Sequence, residues 1–222
     1  MEYRVKRTAE PPELQGLWEG PVWSRAETLR IDRFLPQSSD HRPQAEARLL
    51  YDDACLYGVF RVRDRYVRCV HTEFQSSVCR DSCVEFFFQP DGATHYFNLE
   101  FNCGGTFLMY WAKDPDLAGG RLKEYTKVSE ERARLLRVYH SLPEKIEPEI
   151  QGPVEWFLEF AMPFEMLEPY AGEIGDPAGR AWRANFYKCG DDTSHPHWAS
   201  WAPLDEKNFH LPRCFGDVTF EG

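Results

Sequence analysis

The chain has 222 residues, of which 42% are hydrophobic and 15% aromatic, and it carries a formal net charge of −10. This composition excludes a disordered chain and suffices for one substantial globular core. The negative charge argues against a nucleic-acid partner, because phosphate contacts require clustered Lys and Arg. Membrane insertion is not expected either, since no run approaches the roughly 18 apolar residues of a spanning helix.

The amino terminus, MEYRVKRTAEPPELQGLWEG, contains no apolar stretch of the kind found in signal peptides. Seven cysteines, an odd number without a tight spacing pattern, favour reduced thiols over a disulfide framework. We therefore expect a cytoplasmic protein, the alternative being export with the signal already removed. Cys79 and Cys83, at the edge of a predicted strand, are expected to be chemically inert.

Residues 1–44 contain many prolines and show little periodicity. We expect them to form an N-terminal strap, with one short strand, packed on a single domain that spans residues 1–222. From residue 45 onward, the alternation of apolar and polar residues predicts strands. The predicted strands cover residues 56–63, 66–71, 81–89, 95–102, 106–111, 132–141, 155–162, 180–189 and 217–221.

Turn signals separate these strands. A turn at residues 64–65 separates the first two, residues 90–92 end the third, and Cys103-Gly104-Gly105 joins residues 95–102 to 106–111 in a hairpin. Residues 163–167 are predicted to form one helical turn. Because strands follow one another without long helices between them, the fold class is all-β. We predict an antiparallel β-sandwich of about ten strands with one or two short helical turns.

Polar side chains share one face of two predicted strands. Every second residue of the strand 95–102 is polar, from Asn98 through Glu100 to Asn102, while the alternate residues are apolar. Arg183 and Asn185 alternate with apolar neighbours in the same way. If the two strands are neighbours, their planar polar groups form a patch that can bond pairs of adjacent hydroxyls.

The segment 183–220 interleaves aromatic rings with polar groups among prolines and glycines. Trp198 and Trp201 can lie against the apolar face of a sugar ring, while groups such as the imidazole of His210 bond its hydroxyls. The competing interpretation is that these rings close the core of the sandwich. Composition alone leaves both interpretations open.

Two acids stand four residues apart at the start of a strongly apolar predicted strand. Asp81 and Glu85 share one face of it, and a buried acid of this kind usually has a partner. Arg80, Arg183 or a metal ion are the candidates for that partner.

Four motifs occur in a fixed order along residues 45–220. They read YDDACLYGVFRVRD, RDSCVEFFFQP, YFNLEFNCGG and NFYKCGD, the last followed by Trp, Pro, NFH and FG. In this order they resemble carbohydrate-binding modules of family 9, and more narrowly the stand-alone family-9-like proteins of polysaccharide-degrading bacteria. Related sandwiches such as DOMON domains share the strand that carries the two acids.

The resemblance implies a β-sandwich without catalytic activity that binds poly- or oligosaccharides, including chain ends, in carbohydrate catabolism. It implies a sugar held between aromatic rings, with Glu85 as a hydroxyl acceptor and Trp198 or Trp201 as the stacking ring. Polysaccharide-degrading enzymes would act in trans, because no catalytic domain is visible in the sequence. Glu100 and Asn102 fall where the family's strand contributes polar contacts.

One departure from the family pattern concerns the aromatic clamp. Xylan-binding members place a tryptophan a few residues before these acids, whereas residues 75–80 here read QSSVCR. The clamp therefore lacks its first ring unless another aromatic residue, such as Trp111, replaces it.

Two other functions stay open from the sequence. A glycoside hydrolase would act through paired carboxylates, for which Glu85 and Glu100 are the candidates if they face each other on adjacent strands. A haem-binding DOMON-like domain would require axial ligands, for which Met109, His95 and His71 are available.

No cofactor is certain from the sequence. Calcium is a candidate because the family resemblance implies structural calcium and because acids cluster in predicted loops. Asp52, Asp53, Asp64, Asp191 and Asp192 are the candidate ligands.

Overall fold

Two β-sheets packed face to face make up the protein. The computed structural model describes residues 1–113 and 122–222, and 14 strands occur within them. They are β1 (Glu2–Arg7), β2 (Leu29–Ile31), β3 (Arg33–Phe34), β4 (Gln44–Tyr51), β5 (Cys55–Cys69), β6 (Cys83–Gln89), β7 (Tyr96–Asn102), β8 (Phe107–Ala112), β9 (Tyr125–Lys127), β10 (Arg137–His140), β11 (Ile146–Pro163), β12 (Ala181–Cys189), β13 (Trp198–Ser200) and β14 (Gly216–Phe220).

The helices that accompany these strands are short. The two α-helices are α1 (Glu130–Ala133) and α2 (Glu168–Ala171), and single 3-10 turns occur at Trp23–Arg25, Val78–Arg80, Phe164–Met166 and Pro212–Cys214. None of the helices in the described ranges has the length and apolar character needed to cross a bilayer.

The strand order defines a first and a second sheet. The first sheet runs β9-β8-β7-β6-β12-β14, with β13 added to β12 and β3 to β13, and the second runs β10-β11-β5-β4 with β2 on β4. Their pairs are antiparallel, except those of β1. Glu2–Val5 of β1 pair in parallel with β14 and Lys6 and Arg7 with β4, so this strand joins the two sheets.

Aromatic rings fill the space between the sheets. Phe86 of β6 stacks on Phe186 of β12 with ring centroids 4.8 Å apart, and Phe101 of β7 stacks on Phe160 of β11 at 5.5 Å. All four side chains are fully buried. Each alternates along its strand with residues of the opposite face, so the first sheet keeps a second face for other contacts.

The predicted β-sandwich is confirmed, with differences in its elements. Residues 55–69 form one continuous strand rather than two, because β5 pairs with the 18-residue β11 and register shifts absorb the irregularity near residue 64. Residues 130–133 form α1 rather than the start of a strand, since the Ser129 hydroxyl caps the Arg132 amide. The first 44 residues contribute β1, β2 and β3, which is more than the one strand expected.

Candidate functional site

The polar face of the first sheet forms the floor of a cavity. Glu85 of β6 pairs with Glu100 of β7 on one side and with Tyr187 of β12 on the other. Because paired residues of neighbouring strands point to the same face, the three side chains lie side by side on the face opposite to the core. The predicted patch depended on the strands 95–102 and 180–189 being neighbours, but β6 lies between β7 and β12, so Glu85 separates their polar faces.

The cavity above this floor has a volume of about 280 Å³, at the lower end of the range for small-ligand sites. Its walls come from the 3-10 turn before β6, the loop after β12, β13 and the segment 207–210. The lining residues are Leu35, Cys79, Glu85, Phe87, Glu100, Cys189, Asp191, Trp198, Lys207, Asn208, Phe209 and His210.

Two aromatic rings stand at the walls of the cavity. Trp198 is half-buried and its indole Nε1 donates a 2.7 Å hydrogen bond to Asp191, which fixes the orientation of the ring. The Lys207 ammonium lies 3.7 Å from the centroid of this ring, a cation–π contact. Phe209 stacks on Tyr187 at 4.1 Å. The cavity thus offers a flat apolar surface beside polar groups.

The two carboxyl groups on the floor are deeply buried. Oε1 of Glu85 accepts a hydrogen bond from the Cys189 thiol at 3.1 Å, and Oε1 of Glu100 accepts one from the Asn98 amide at 3.0 Å. Oε2 of Glu85 has no hydrogen-bond partner within the described part of the chain, although it is inaccessible to solvent. A buried acceptor without a partner is costly, so this oxygen is a point at which a ligand can bind.

Burial sets the protonation of these groups. It raises the pKa of Glu85 well above its usual value, with repulsion from Glu100 as the second cause, and it raises the pKa of Glu100 to about 7. Burial likewise raises the pKa of the Cys79 and Cys189 thiols. Burial and the repulsion between the two acids thus favour the protonated form of Glu85, which can donate as well as accept a hydrogen bond.

Four predicted polar residues stabilise the site or lie away from it. Asn98 holds Glu100, as described above, and its carbonyl accepts from the Tyr110 amide. Asn102 is fully buried and bonds backbone and side-chain groups around Asp81, while Asn185 bonds both backbone groups of Ala202. Arg183 is exposed and donates to the carbonyl of Phe215. Asn98 bonds the lining residue Glu100, and Asn185 is the register partner of the lining residue Phe87.

The structure does not bring Trp111 and Trp201 to the cavity. Trp111 pairs with Phe97, 4.4 Å away between ring centroids, and therefore lies on the core face of β8. Trp201 is 4% exposed and packs edge-to-face on Phe186 in the core. The expectation that Trp111 and Trp201 contact the sugar is thus corrected. The register of the β7–β8 hairpin turns Trp111 towards the core, and the path of the chain after β13 does the same for Trp201.

His210 lies at the cavity wall. Its Nδ1 is 2.9 Å from the Tyr96 hydroxyl, and burial lowers the pKa of His210 to about 4. The ring is therefore neutral at pH 7, and it can contribute hydrogen bonds but not charge.

Asp81 has a structural role. Its Oδ2 accepts from the backbone amides of Val70 and His71 and from the Asn102 side chain, and its Oδ1 lies 3.3 Å from Arg68. The basic side chains beside Asp81 are therefore those of Arg68 and His71, rather than the expected Arg80 or Arg183. This network ties the end of β5 to the start of β6 and to the end of β7.

The five acids considered for calcium do not form an oxygen cage. Asp52 accepts from the Ala54 and Cys55 amides and from Tyr57, the pattern of a turn. Asp53 pairs with Arg7, and Asp192 pairs with Arg80. Asp64 pairs with Lys188. Asp191 accepts a hydrogen bond from the indole of Trp198. Calcium requires six to eight oxygens around one point, and these residues do not fit that arrangement.

The candidate haem ligands lie in different surroundings. Met109 is buried in the core, His71 lies 3.2 Å from Asp81, and His95 stacks on Trp111. The carboxyl pair proposed for a hydrolase does share one cavity, since Glu85 and Glu100 are register partners.

Several lining residues were missed by sequence reasoning. Phe209 precedes His210 within the NFH motif and Lys207 comes directly before that motif, so the motif could have indicated both. Cys79 and Cys189 were missed because thiols are not typical hydroxyl contacts. Leu35 comes from the amino-terminal segment, and nothing local predicts that it reaches this cavity.

Solved structures with the same fold bind or are assigned to bind carbohydrate. A candidate carbohydrate-binding protein from Bacteroides uniformis is 27% identical, with a TM-score of 0.85 over 99% of each chain. A family 9 module from Caldicellulosiruptor kristjanssonii in complex with glucose is 15% identical, with a TM-score of 0.64 over 99% of this chain and 96% of that one. The same organism's family 9 module in complex with cellotriose is 14% identical, with a TM-score of 0.61 over 100% and 94%.

No curated protein matches this sequence significantly. The model of carbohydrate-binding family 9, in contrast, matches residues 22–220, which is nearly the whole chain. This match confirms the resemblance that the four motifs predicted, and with it carbohydrate binding as the function. The chain belongs to carbohydrate-binding family 9.

Proposed function

We propose that the cavity between Trp198 and Phe209 binds the terminal ring of an oligo- or polysaccharide, without catalysis. The observation that carries this assignment is the coincidence of three features in one cavity. An indole wall stands beside a pair of opposed carboxyl groups, and one buried oxygen of Glu85 lacks a partner in the described residues.

Each wall has a role in this proposal. The C–H face of the sugar lies against the indole of Trp198, which the hydrogen bond to Asp191 holds in place. Hydroxyl groups of the ring donate to or accept from Glu85 and Glu100 on the floor. The imidazole of His210, neutral at pH 7, is positioned for a further hydroxyl.

The size of the cavity favours a chain end. About 280 Å³ accommodates roughly one sugar ring, and further rings would extend into solvent. Because the Caldicellulosiruptor modules were solved with glucose and cellotriose, we propose a glucose- or xylose-based chain end as the ligand. Polysaccharide-degrading enzymes in trans are the proposed source or consumers of such ends.

We also propose a reducing compartment, consistent with cytoplasmic location, because all seven cysteines are free thiols in the structure. The acidic composition further supports the absence of a nucleic-acid partner. Fractionation of the producing cells, followed by thiol titration of the recovered protein, tests the first proposal. Recovery from the medium with disulfides would contradict it.

Calorimetric titration with cello-, xylo- and manno-oligosaccharides tests the sugar site. We expect saturable heat with at least one series and a loss of roughly tenfold or more in affinity for E85Q and E100Q. E155Q is the matched control, because Glu155 is exposed and pairs with Arg63 far from the floor. Absence of heat with every series would contradict the proposal, and release of reducing ends would indicate a hydrolase instead.

A further inference from the structure

Two cysteines face each other across the strand pair beneath the cavity. Cys83 of β6 and Cys189 of β12 are register partners, and Glu85 follows Cys83 by two residues on the same face. The two sulfur atoms and a carboxylate oxygen of Glu85 all lie within 4.8 Å of one another. All three residues are at most 2% exposed, so this is a buried cluster rather than an acidic surface.

The distances within the cluster suit a tetrahedral metal ion. Oε1 of Glu85 lies 3.1 Å from the Cys189 sulfur and 4.0 Å from the Cys83 sulfur. A zinc ion with Zn–S bonds of about 2.3 Å and a Zn–O bond of about 2.0 Å places sulfur and oxygen roughly 3.5 Å apart. The cluster therefore needs only small side-chain shifts to enclose an ion.

A second observation points to a ligand at the same place. Oε2 of Glu85 is buried and has no hydrogen-bond partner among the residues that the structure describes. Glu100 and Asp191 line the same cavity, against a single lining ammonium, that of Lys207. Among the lining residues, acidic groups thus outnumber cationic ones, which suits a cation once these acids are ionised.

We propose that Cys83, Cys189 and Glu85 bind a zinc ion whose fourth position opens into the cavity. Two sulfur donors and one carboxylate suit Zn²⁺ and not Ca²⁺ or Mg²⁺, which prefer oxygen ligands. On binding, the two thiols and the carboxyl group of Glu85 each release their proton to solvent, so two thiolates and one carboxylate face the dication. The expectation that Cys83 is inert is thereby replaced.

The site has a defined relation to the cavity. Cys189 and Glu85 line the cavity, whereas Cys83 lies behind them, so an ion would reach the cluster from the cavity side. Its fourth ligand is then water or a hydroxyl group in the cavity. The zinc site rests on the cluster and on the unpartnered oxygen of Glu85, and it stands whether or not the cavity binds sugar.

Cobalt(II) titration of the reduced, sugar-free protein tests the proposal. We expect one Co²⁺ per chain, with a thiolate-to-cobalt charge-transfer absorption. This absorption should disappear when Zn²⁺ is added and displaces Co²⁺ from the site. C189S should abolish the charge-transfer absorption, and E85Q, which keeps the shape of the side chain, should weaken Zn²⁺ binding at least about tenfold. E85Q keeps the test valid if C189S does not fold.

The second thiol pair of the protein supplies the control. The thiols of Cys69 and Cys103 interact with each other, and the Cys103 sulfur approaches the carbonyl of Arg68 rather than the cavity. C103S should therefore retain the full charge-transfer absorption and stoichiometry. Absence of this absorption in the wild type, or its persistence in C189S together with its loss in C103S, would overturn the assignment.

Discussion

Glu85 of β6 lies directly opposite Glu100 of β7, and both carboxyl groups lie on the floor of one cavity. Opposed like charges in a buried site disfavour double ionisation, so at least one carboxyl keeps its proton near neutral pH. A protonated carboxyl beside an ionised one offers a donor and an acceptor together, which matches the hydroxyl groups of a sugar. The same pair makes the stability of the protein sensitive to pH.

We expect Glu100 to destabilise the folded state as pH rises. Burial raises the pKa of Glu100 to about 7 in the folded protein, from 4.5 when it is unperturbed. Between these values the folded state binds more protons than the unfolded state, so the free energy of unfolding falls as pH increases. Relative to E100Q, the wild type should lose up to about 1.4 kcal/mol per pH unit in this window, with no further change above pH 7.

Urea unfolding of both proteins from pH 4.5 to 8 measures this difference. The comparison with E100Q is necessary because the titration of His197 and His210 makes the free energy of unfolding rise with pH, opposite to the effect of Glu100. Burial lowers the pKa of His197 to about 3 and that of His210 to about 4, so their contribution to stability rises with pH up to about 6.5. The exposed control E155Q should give a profile parallel to that of the wild type, and a parallel E100Q profile would contradict the prediction.

The two tryptophans of the carboxy-terminal segment should respond differently to substitution. Trp198 is half-buried at the cavity, so W198A should lower sugar affinity roughly tenfold or more with little effect on stability. Trp201 packs on Phe186 in the core, so W201F should lower the free energy of unfolding and leave affinity unchanged. Calorimetry and urea unfolding of both variants check this, and equal affinity losses would contradict it.

Strand parity explains why much of the site was predictable from sequence. A side-chain period of two places Asn98 and Glu100 on one face wherever the strand pairs, and β6 and β7 then bring Glu85 opposite Glu100. Which strand lies next to which depends on contacts distant in sequence. For that reason Arg183, although on the correct face of β12, lies near Phe215 and not at the cavity.

The aromatic residues show where local pattern fails. Trp111 and Tyr110 alternate on β8, and only pairing with Phe97 and Asn98 decides which ring faces the core. In the irregular segment after β13 no periodicity exists, so Trp201 could not be separated from Trp198. Composition alone does not distinguish Trp198 from Trp201, whereas the fold places Trp201 in the core and Trp198 at the cavity.

The ion pair around Asp81 should contribute strongly to stability. Asp81 is fully buried and accepts two backbone amides besides pairing with Arg68. D81N leaves the Arg68 guanidinium without its partner, so we expect a loss of about 3 kcal/mol in the free energy of unfolding. D192N breaks the exposed pair with Arg80 and should cost no more than about 1 kcal/mol. Urea unfolding measures both, and equal losses would contradict a role for burial.

Gly58 of β5 provides the space that the ring of Phe160 occupies. A Cβ atom at residue 58 would lie 2.3 Å from two ring atoms of Phe160 and 3.1 Å from the Leu49 side chain, so G58A must displace a core ring. We expect a loss of about 1–3 kcal/mol in the free energy of unfolding. G152A is the control, because nothing lies within 4 Å of its added Cβ, and it should stay within about 1 kcal/mol of the wild type.

Since the cost of G58A arises from one contact, it should be smaller when F160L is already present, and urea unfolding of the double-mutant cycle measures that coupling. Additive losses would show that the strain of G58A has another origin.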